Sequence, residues 1–139
     1  MKITRPAADA IGYWSRDTAD VAGAEQCGYL VLAGELLDDA TPLANVHPQP
    51  GRGYAIDDRD LGVALLAAAQ LGGELVVWHS HLDAPATPST PDLEGAGVGN
   101  LLVIYSVLLD ELRAYQVERS DDDRYRLRLR AVDVALEVT

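Results

Sequence analysis

The chain has 139 residues, of which 48% are hydrophobic and 24% charged, values typical of one globular domain and not of a disordered or fibrous chain. A net charge of −11 disfavours binding to nucleic-acid phosphates or to anionic membranes. The one cysteine, Cys27, cannot form an internal disulfide, and no apolar run is long enough for a signal peptide or a membrane span. We therefore expect a single, soluble, cytoplasmic domain over residues 1–139.

Helix and strand signals follow one another along the first half of the chain. Residues 6–19 begin with a proline and carry apolar side chains on one face, which predicts an amphipathic helix. Residues 27–32 predict a short strand, and residues 40–46 predict its neighbour. A second helix is predicted to begin at Asp57, an N-cap candidate, and to stop at Gly72. Its apolar stripe comprises Leu61, Leu65, Ala68 and Ala69.

A buried strand and a proline-containing loop come next. The apolar residues 74–78 predict the strand. Thr90 followed by Pro91 predicts the start of a short helix that carries Asp92. Three more strands are predicted at residues 101–108, 112–119 and 124–130, with a polar turn at residues 120–123. Mixed signals of this kind are typical of an α/β sandwich.

Two histidines, His79 and His81, stand at the end of the buried strand. Residues two apart in a strand point to the same face, so both imidazoles can reach one point. Asp92 follows after a loop that is long enough to turn back toward the strand. Two imidazoles and one carboxylate leave one tetrahedral position of zinc open, which is typical of a catalytic zinc site. Ser89 would then lie beside the metal and offer a hydroxyl to a developing oxyanion.

The spacing of these residues resembles the signature of the JAMM (MPN+) zinc metalloproteases, which here is His79-x-His81, seven residues, Ser89, two residues and Asp92. The segment Glu25-Gln26-Cys27-Gly28 looks like the family's upstream glutamate at the start of a strand. The similarity to compact bacterial members extends over residues 6–118. One departure is Leu82, which stands where the family usually has a proline. We interpret it as a change of loop shape, because no ligand is lost.

The resemblance implies a fold similar to the cytidine-deaminase-like three-layer sandwich, with a mixed β-sheet flanked by helices. It implies that His79, His81 and Asp92 hold zinc, and that Glu25 is the general base and acid that moves a proton from water to the leaving amine. Family members hydrolyse amide or isopeptide bonds after the C-terminal Gly-Gly of ubiquitin-like proteins. Bacterial relatives are linked to small sulfur-carrier proteins, so the implied partner is a protein of that kind.

Other residues near the motif have simpler interpretations. Asp83 is a rival carboxylate on the same strand face, but Pro85 indicates that the strand stops before it. Cys27 has no evident base nearby, which favours a buried thiol over a nucleophile. Alternating arginines predict a cationic strand face, which is either paired with acidic neighbours such as Glu118 or a docking surface for an acidic partner. These arginines are Arg124, Arg126, Arg128 and Arg130.

Three functions compete at this point. The first is a zinc-dependent hydrolase that cuts peptide or isopeptide bonds after the Gly-Gly tail of a ubiquitin-like or sulfur-carrier protein. The second keeps the chemistry but places it in phage-tail assembly or cell-wall peptide processing. The third is a non-catalytic MPN scaffold, which the complete ligand set disfavours. Base deamination is also disfavoured, because the chain lacks both the His-x-Glu and the Pro-Cys-x-x-Cys elements.

Overall fold

A computed structural model of the protein describes residues 1–89, 92, 100–120 and 127–137. In these residues two helices, α1 (Arg5–Ala22) and α2 (Asp58–Gln70), accompany one mixed sheet. The strands are β1 (Lys2–Ile3), β2 (Cys27–Ala33), β3 (Leu36–Leu43), β4 (Glu74–His81), β5 (Leu101–Ser106), β6 (Glu111–Arg119), β7 (Leu127–Val132) and β8 (Ala135–Leu136). Their order in the sheet is β7-β6-β5-β4-β2-β3-β1-β8. The pairs β4–β5, β1–β3 and β1–β8 are parallel, and the other neighbours are antiparallel.

Helix α1 forms where the sequence predicts it and runs three residues further, to Ala22. The Thr4 hydroxyl oxygen caps its start by accepting a hydrogen bond from the Ala7 backbone N–H at 3.3 Å. Gly23 ends it in the left-handed conformation, with φ of 60°. Ile11 on its inner face is completely buried against the sheet. Capping at both ends and one apolar face therefore define this helix.

The predicted strand at residues 40–46 is displaced in the structure. Strand β3 begins at Leu36 and ends at Leu43, because Gly34 has φ of 62° and closes a two-residue turn in which Ala33 pairs with Leu36. The hairpin thus starts earlier than predicted. Residues 44–46 leave the sheet and begin the irregular segment that leads to α2.

Helix α2 begins at the predicted cap, where the Asp57 side chain accepts a hydrogen bond from the Arg59 backbone N–H at 2.9 Å. The predicted apolar stripe is wrong in part. Its buried residues are Ala64 and Ala68, whereas Leu65 is 53% exposed. Small buried residues let the helix lie close to β4 and β2, which it contacts. Neither helix in the described part of the chain has the length and apolar character to cross a membrane.

Strand β4 presents different side chains to the two faces of the sheet. Val76 and Trp78 point to the face covered by α1 and join Ile11 in the main hydrophobic cluster. The alternate residues His79 and His81 therefore point to the opposite face. The strand extends to His81, three residues past the predicted stretch, which keeps both histidines in regular strand geometry.

The later strands largely follow the predictions. Strands β5 and β6 overlap the predicted segments, and on β7 Arg128 and Arg130 form ion pairs with Glu118 at 3.0 and 2.8 Å. The prediction of a paired cationic face is confirmed for these two residues. Residues 121–126, which include Arg124, Arg126 and most of the predicted turn, lie outside the described residues.

Strands β1 and β8 were not predicted. Each has only two residues, which is too short for a periodic pattern.

Gly28 of β2 lies directly against the Trp78 indole. A Cβ atom at this position would lie 2.2 Å from the Thr41 carbonyl oxygen and 2.6 Å from the Trp78 ring. We expect Gly28→Ala to lower the free energy of unfolding by about 1 to 3 kcal/mol, because neither neighbour can move freely. A Cβ atom at Gly62 of α2 would have no atom within 4 Å other than its chain neighbours and the backbone of its own helix, so Gly62→Ala should raise that free energy by about 0.5 to 1 kcal/mol. Thermal melting of both variants measures these changes in stability. If Gly28→Ala and Gly62→Ala melted at the same temperature, the packing described for Gly28 would be contradicted.

Candidate metal centre

The end of β4 and the residue Asp92 together form a compact group of ligand atoms. The Nε2 atoms of His79 and His81 are 3.3 Å apart. Asp92 Oδ1 lies 3.1 Å from the first of them, and Oδ2 lies 3.0 Å from the second. One potential ligand atom from each of the three residues lies within 4.8 Å of the other two. The sequence predicted this convergence from the period of two along a strand, and the structure brings the three side chains together.

Asp92 is oriented by a reciprocal pair of hydrogen bonds with Ser89. The Ser89 backbone N–H donates to Asp92 Oδ2 at 2.9 Å, and the Asp92 backbone N–H donates to Ser89 Oγ at 3.4 Å. This reciprocal pattern is that of a capping box, and Asp92 itself has helical geometry, as the sequence predicted. Thr90 and Pro91 themselves lie outside the described residues. Asp83, the rival carboxylate, is exposed beyond the end of β4 and is absent from the ligand group found among the described residues.

The chemistry of these side chains suits a cation such as zinc. The Pro85 carbonyl oxygen lies 2.8 Å from His81 Nδ1, so Nδ1 carries the hydrogen and donates it. In the neutral imidazole the Nε2 lone pair then faces both His79 Nε2 and the Asp92 carboxylate. Acceptors that converge in this way require a proton or a cation among them. A set of two imidazole nitrogens and one carboxylate oxygen is one that zinc prefers.

Burial and mutual hydrogen bonding shift the protonation of all three side chains. Burial lowers the pKa of His79, although its hydrogen bond to Asp92 acts in the other direction. The hydrogen bond to Asp92 raises the pKa of His81, against the effect of burial. Burial alone would raise the pKa of Asp92, but hydrogen bonds from both histidines hold it well below its usual range. Asp92 is therefore an ionised carboxylate, as a metal ligand must be.

Glu25 stands just before β2, next to this group. Its neighbour Gln26 is bonded to β4, since the Ser80 backbone N–H donates to the Gln26 carbonyl and the Gln26 N–H donates to Ser80 Oγ, both at 2.9 Å. Glu25 is only 9% exposed. Burial raises its pKa to about 7, the positive charge of His81 lowers it, and the negative charges of Asp92 and Asp83 raise it further. The carboxyl group therefore lies within electrostatic reach of the ligands and can gain or lose a proton near neutral pH.

Tyr54 is part of the site, and the sequence did not predict it. Its ring stacks on His79 with centroids 4.3 Å apart and planes 19° apart. A cleft of about 800 Å³ runs from Tyr54 and Asp92 along β4 and α2. Its apolar wall includes Val77 and Leu65. Leu65 is exposed because its side chain lines this open cleft. An aromatic residue within an irregular segment carries no periodic signal, so only its tertiary contact identifies it.

Cys27 is completely buried at the start of β2, opposite His79 in the register. Burial raises the pKa of its thiol to about 11, and the charge of Glu25 adds to this effect. A thiol with this pKa is a poor nucleophile at neutral pH. The interpretation of Cys27 as a buried thiol is confirmed.

The sequence matches the family of prokaryotic homologs of the JAB domain over residues 5–119. The chain belongs to this family. The resemblance to JAMM (MPN+) proteins of the compact bacterial type is thereby confirmed. A curated relative from Thermus thermophilus, a probable TtuB-protein conjugate cleaving protease, is 39% identical over 75 residues. That alignment covers 53% of this chain and 49% of the relative, so it spans about half the length of either protein.

Solved structures share the fold of this JAB-family chain. A protein from Desulfitobacterium hafniense has a TM-score of 0.76 at 20% identity, covering 98% of this chain and 92% of that one. A protein from Salinibacter ruber has a TM-score of 0.64 at 26% identity, covering 99% and 92%. A JAB1/MPN domain protein from Archaeoglobus fulgidus has a TM-score of 0.58 at 18% identity, covering 98% of both chains. The predicted fold, a mixed β-sheet flanked by helices, is confirmed.

The raised pKa of Glu25 predicts a pH-dependent effect on stability in the metal-free protein. Below about pH 4.5 the carboxyl group is neutral whether folded or unfolded, so Glu25→Gln should melt at nearly the parent's temperature. Between about pH 4.5 and 7 the unfolded parent ionises while the folded parent stays protonated, so the parent loses stability over this range, and above about pH 7 it must bury the charge. The variant should then become the more stable protein, by an amount on the order of 3 kcal/mol.

Thermal melting of chelator-treated protein from pH 4 to pH 8 measures this difference. Glu35→Gln removes one negative charge from the exposed β2–β3 turn and serves as the matched control. A difference between Glu25→Gln and the parent that does not change with pH would contradict the burial of this carboxyl group.

Proposed function

We propose that this chain is a zinc-dependent hydrolase that cleaves peptide or isopeptide bonds after the C-terminal Gly-Gly of a ubiquitin-like or sulfur-carrier protein. The observation that carries the proposal is the convergence of His79, His81 and Asp92 on one point, with the buried carboxyl of Glu25 beside them. The name of the Thermus relative supports a protein conjugate as substrate. The cleft that ends at Tyr54 and Asp92 has room for an extended peptide.

His79, His81 and Asp92 would hold the metal through Nε2, Nε2 and a carboxylate oxygen. Bound there, zinc would supply a Lewis acid that polarises the scissile carbonyl and acidifies water. The protein supplies the alignment of these ligands. The Pro85 carbonyl fixes the tautomer of His81, and the Ser89 backbone N–H fixes the rotamer of Asp92.

Glu25 is the residue that moves protons in this proposal. It accepts a proton from the attacking water as the new C–O bond forms at the scissile carbonyl. It then returns that proton to the amine nitrogen as the C–N bond breaks, so that water is added across the bond. A general base works best when its pKa lies near the working pH, and a pKa of about 7 meets this condition.

Ser89 is proposed to stabilise the developing oxyanion. Its oxygen already accepts the Asp92 backbone N–H, so the residue is held next to a metal ligand. Its hydroxyl hydrogen can then be donated to the carbonyl oxygen as negative charge accumulates there.

The zinc assignment predicts a loss of metal in His79→Ala. Elemental analysis of purified protein should find one zinc per parent chain and little zinc in the variant, because two ligands bind the ion far more weakly than three. Removal of metal from the parent by a chelator should leave the far-ultraviolet circular dichroism nearly unchanged, since the hydrophobic cluster does not include the site. Full zinc occupancy in His79→Ala would exclude this ligand set.

The catalytic assignment predicts that Glu25→Gln binds zinc normally but turns over slowly. Glutamine has the shape of glutamate and cannot accept the water proton, so kcat should fall by about two to four powers of ten. The substrate is a carrier protein ending in Gly-Gly and extended by one residue or by a lysine isopeptide, and the product is measured by mass. Glu35→Gln, the matched control, should keep the parent rate.

Three outcomes separate the competing functions. Equal cleavage by the parent and by Glu25→Gln would remove Glu25 from the mechanism. Cleavage of peptides without a carrier protein would favour peptide processing in phage tails or cell walls. A zinc-loaded parent that cuts neither class of substrate would favour a non-catalytic scaffold.

A further inference from the structure

Asn45 organises the irregular segment that joins β3 to α2. Its Oδ1 atom accepts hydrogen bonds from the backbone N–H groups of His47 and Ala55, both at 3.1 Å. Its Nδ2 atom donates to the carbonyl oxygens of Glu25 at 2.9 Å and Gly53 at 3.0 Å. Nδ2 also makes a longer contact, 3.5 Å, with the Pro50 carbonyl oxygen. A primary amide has two hydrogens and two acceptor lone pairs, so these bonds use its full capacity. They also fix which side of the amide is oxygen, because only oxygen can receive two N–H groups.

The backbone of Glu25 depends on this segment. Glu25 lies two residues before β2 begins, so its own peptide groups are outside the sheet ladder. Its N–H donates to the Pro50 carbonyl at 2.8 Å, and its carbonyl accepts the Asn45 amide. Both backbone groups of Glu25 are therefore bonded to residues of the same segment, and Asn45 is the side chain that ties them together.

The same amide also holds the backbone on either side of Tyr54. Asn45 bonds the Gly53 carbonyl and the Ala55 N–H, which flank Tyr54 in the chain. The Tyr54 ring stacks on His79 at a centroid distance of 4.3 Å. One side chain thus connects the carboxyl group proposed as the base with the aromatic ring that covers a ligand.

We propose that Asn45 is a positioning residue, which sets the Glu25 carboxyl group relative to His79 and His81 and keeps Tyr54 over His79. The inference rests on the proposed function, since it assigns Asn45 an effect on catalysis through Glu25. A displacement of about 1 Å in a reacting group can cost about 100-fold in rate. Loss of the amide that anchors the Glu25 carbonyl should therefore reduce kcat much more than it reduces zinc binding.

A double-mutant cycle with Glu25→Gln tests whether Asn45 affects kcat through Glu25. Asn45→Ala should lower kcat by about 10- to 100-fold in the parent. In the Glu25→Gln background, where no base remains to be positioned, the same change should lower kcat by less than about threefold. An equal loss in both backgrounds would show a purely structural role and would overturn the inference.

The variant Asn45→Asp shows whether kcat depends on the bond to the Glu25 carbonyl or on the order of the segment as a whole. Aspartate has nearly the same shape and can still accept the His47 and Ala55 N–H groups. At neutral pH it cannot donate to the Glu25 carbonyl and repels that oxygen. We expect hydrogen-exchange protection of the Ala55 N–H to persist while kcat falls as in Asn45→Ala. Parent-like kcat in Asn45→Asp would overturn the inference even if Asn45→Ala fails to fold.

Amide hydrogen exchange gives a readout that needs no substrate. In Asn45→Ala the N–H groups of Glu25 and Ala55 should exchange at least about 10-fold faster than in the parent. The matched control is Thr4→Val, which removes the 2.6 Å hydrogen bond between Thr4 and Asp38 and a helix cap. It should lower the melting temperature without changing kcat or those two exchange rates.

The two kinds of failure can be told apart. If the parent cleaves no Gly-Gly substrate, the proposed function fails, and the exchange rates still decide whether Asn45 holds Glu25. If the parent is active and the Glu25 and Ala55 amides stay protected in both Asn45 variants, the proposed function stands and the positioning role of Asn45 is refuted.

Discussion

The antiparallel pairing of β2 with β4 is the contact on which the site depends. It sets Cys27 opposite His79 and places Glu25, just before β2, at the level of the ligands. The indole of Trp78, packed against Gly28, fixes this register. A slip by one residue would turn both histidines of β4 to the face that α1 covers, where the apolar cluster leaves no room for them. Packing on one face of the sheet therefore determines the chemistry available on the other.

Burial gives the site its electrostatic character. Glu25 and Asp92 are two carboxyl groups in one poorly solvated region, and the negative charge of Asp92 makes ionisation of Glu25 less favourable. Asp92 stays ionised because two imidazoles bond to it, whereas burial outweighs the charge of His81 at Glu25 and raises the pKa of Glu25 to about 7. A cation bound by the histidines and Asp92 would reduce this repulsion. The same arrangement thus fits both a metal ligand and a separate proton carrier.

Regular strands and irregular segments contribute in different ways. The strand β4 supplies the two histidines of the candidate metal centre, at a spacing that its own geometry dictates. Asp92 and Glu25 stand outside the sheet, and single polar groups hold them: the Ser89 backbone N–H bonds the Asp92 carboxylate, and the Asn45 amide bonds the Glu25 carbonyl. Such bonds hold loop residues with the precision that a catalytic or metal site needs. They are also few, so each one is a point at which the site can be disturbed.

Features that depend on near neighbours in the chain were predictable from the sequence. The cap at Asp57 and the shared face of His79 and His81 follow from local geometry, and the family resemblance added Glu25 and the fold. The start of β3, the buried face of α2, and the roles of Tyr54 and Asn45 were not predictable. Asn45 even lay inside a predicted strand. It bonds Glu25 across 20 residues of sequence. Contacts of that separation leave no periodic trace, because they exist only after β2, β3 and β4 have paired.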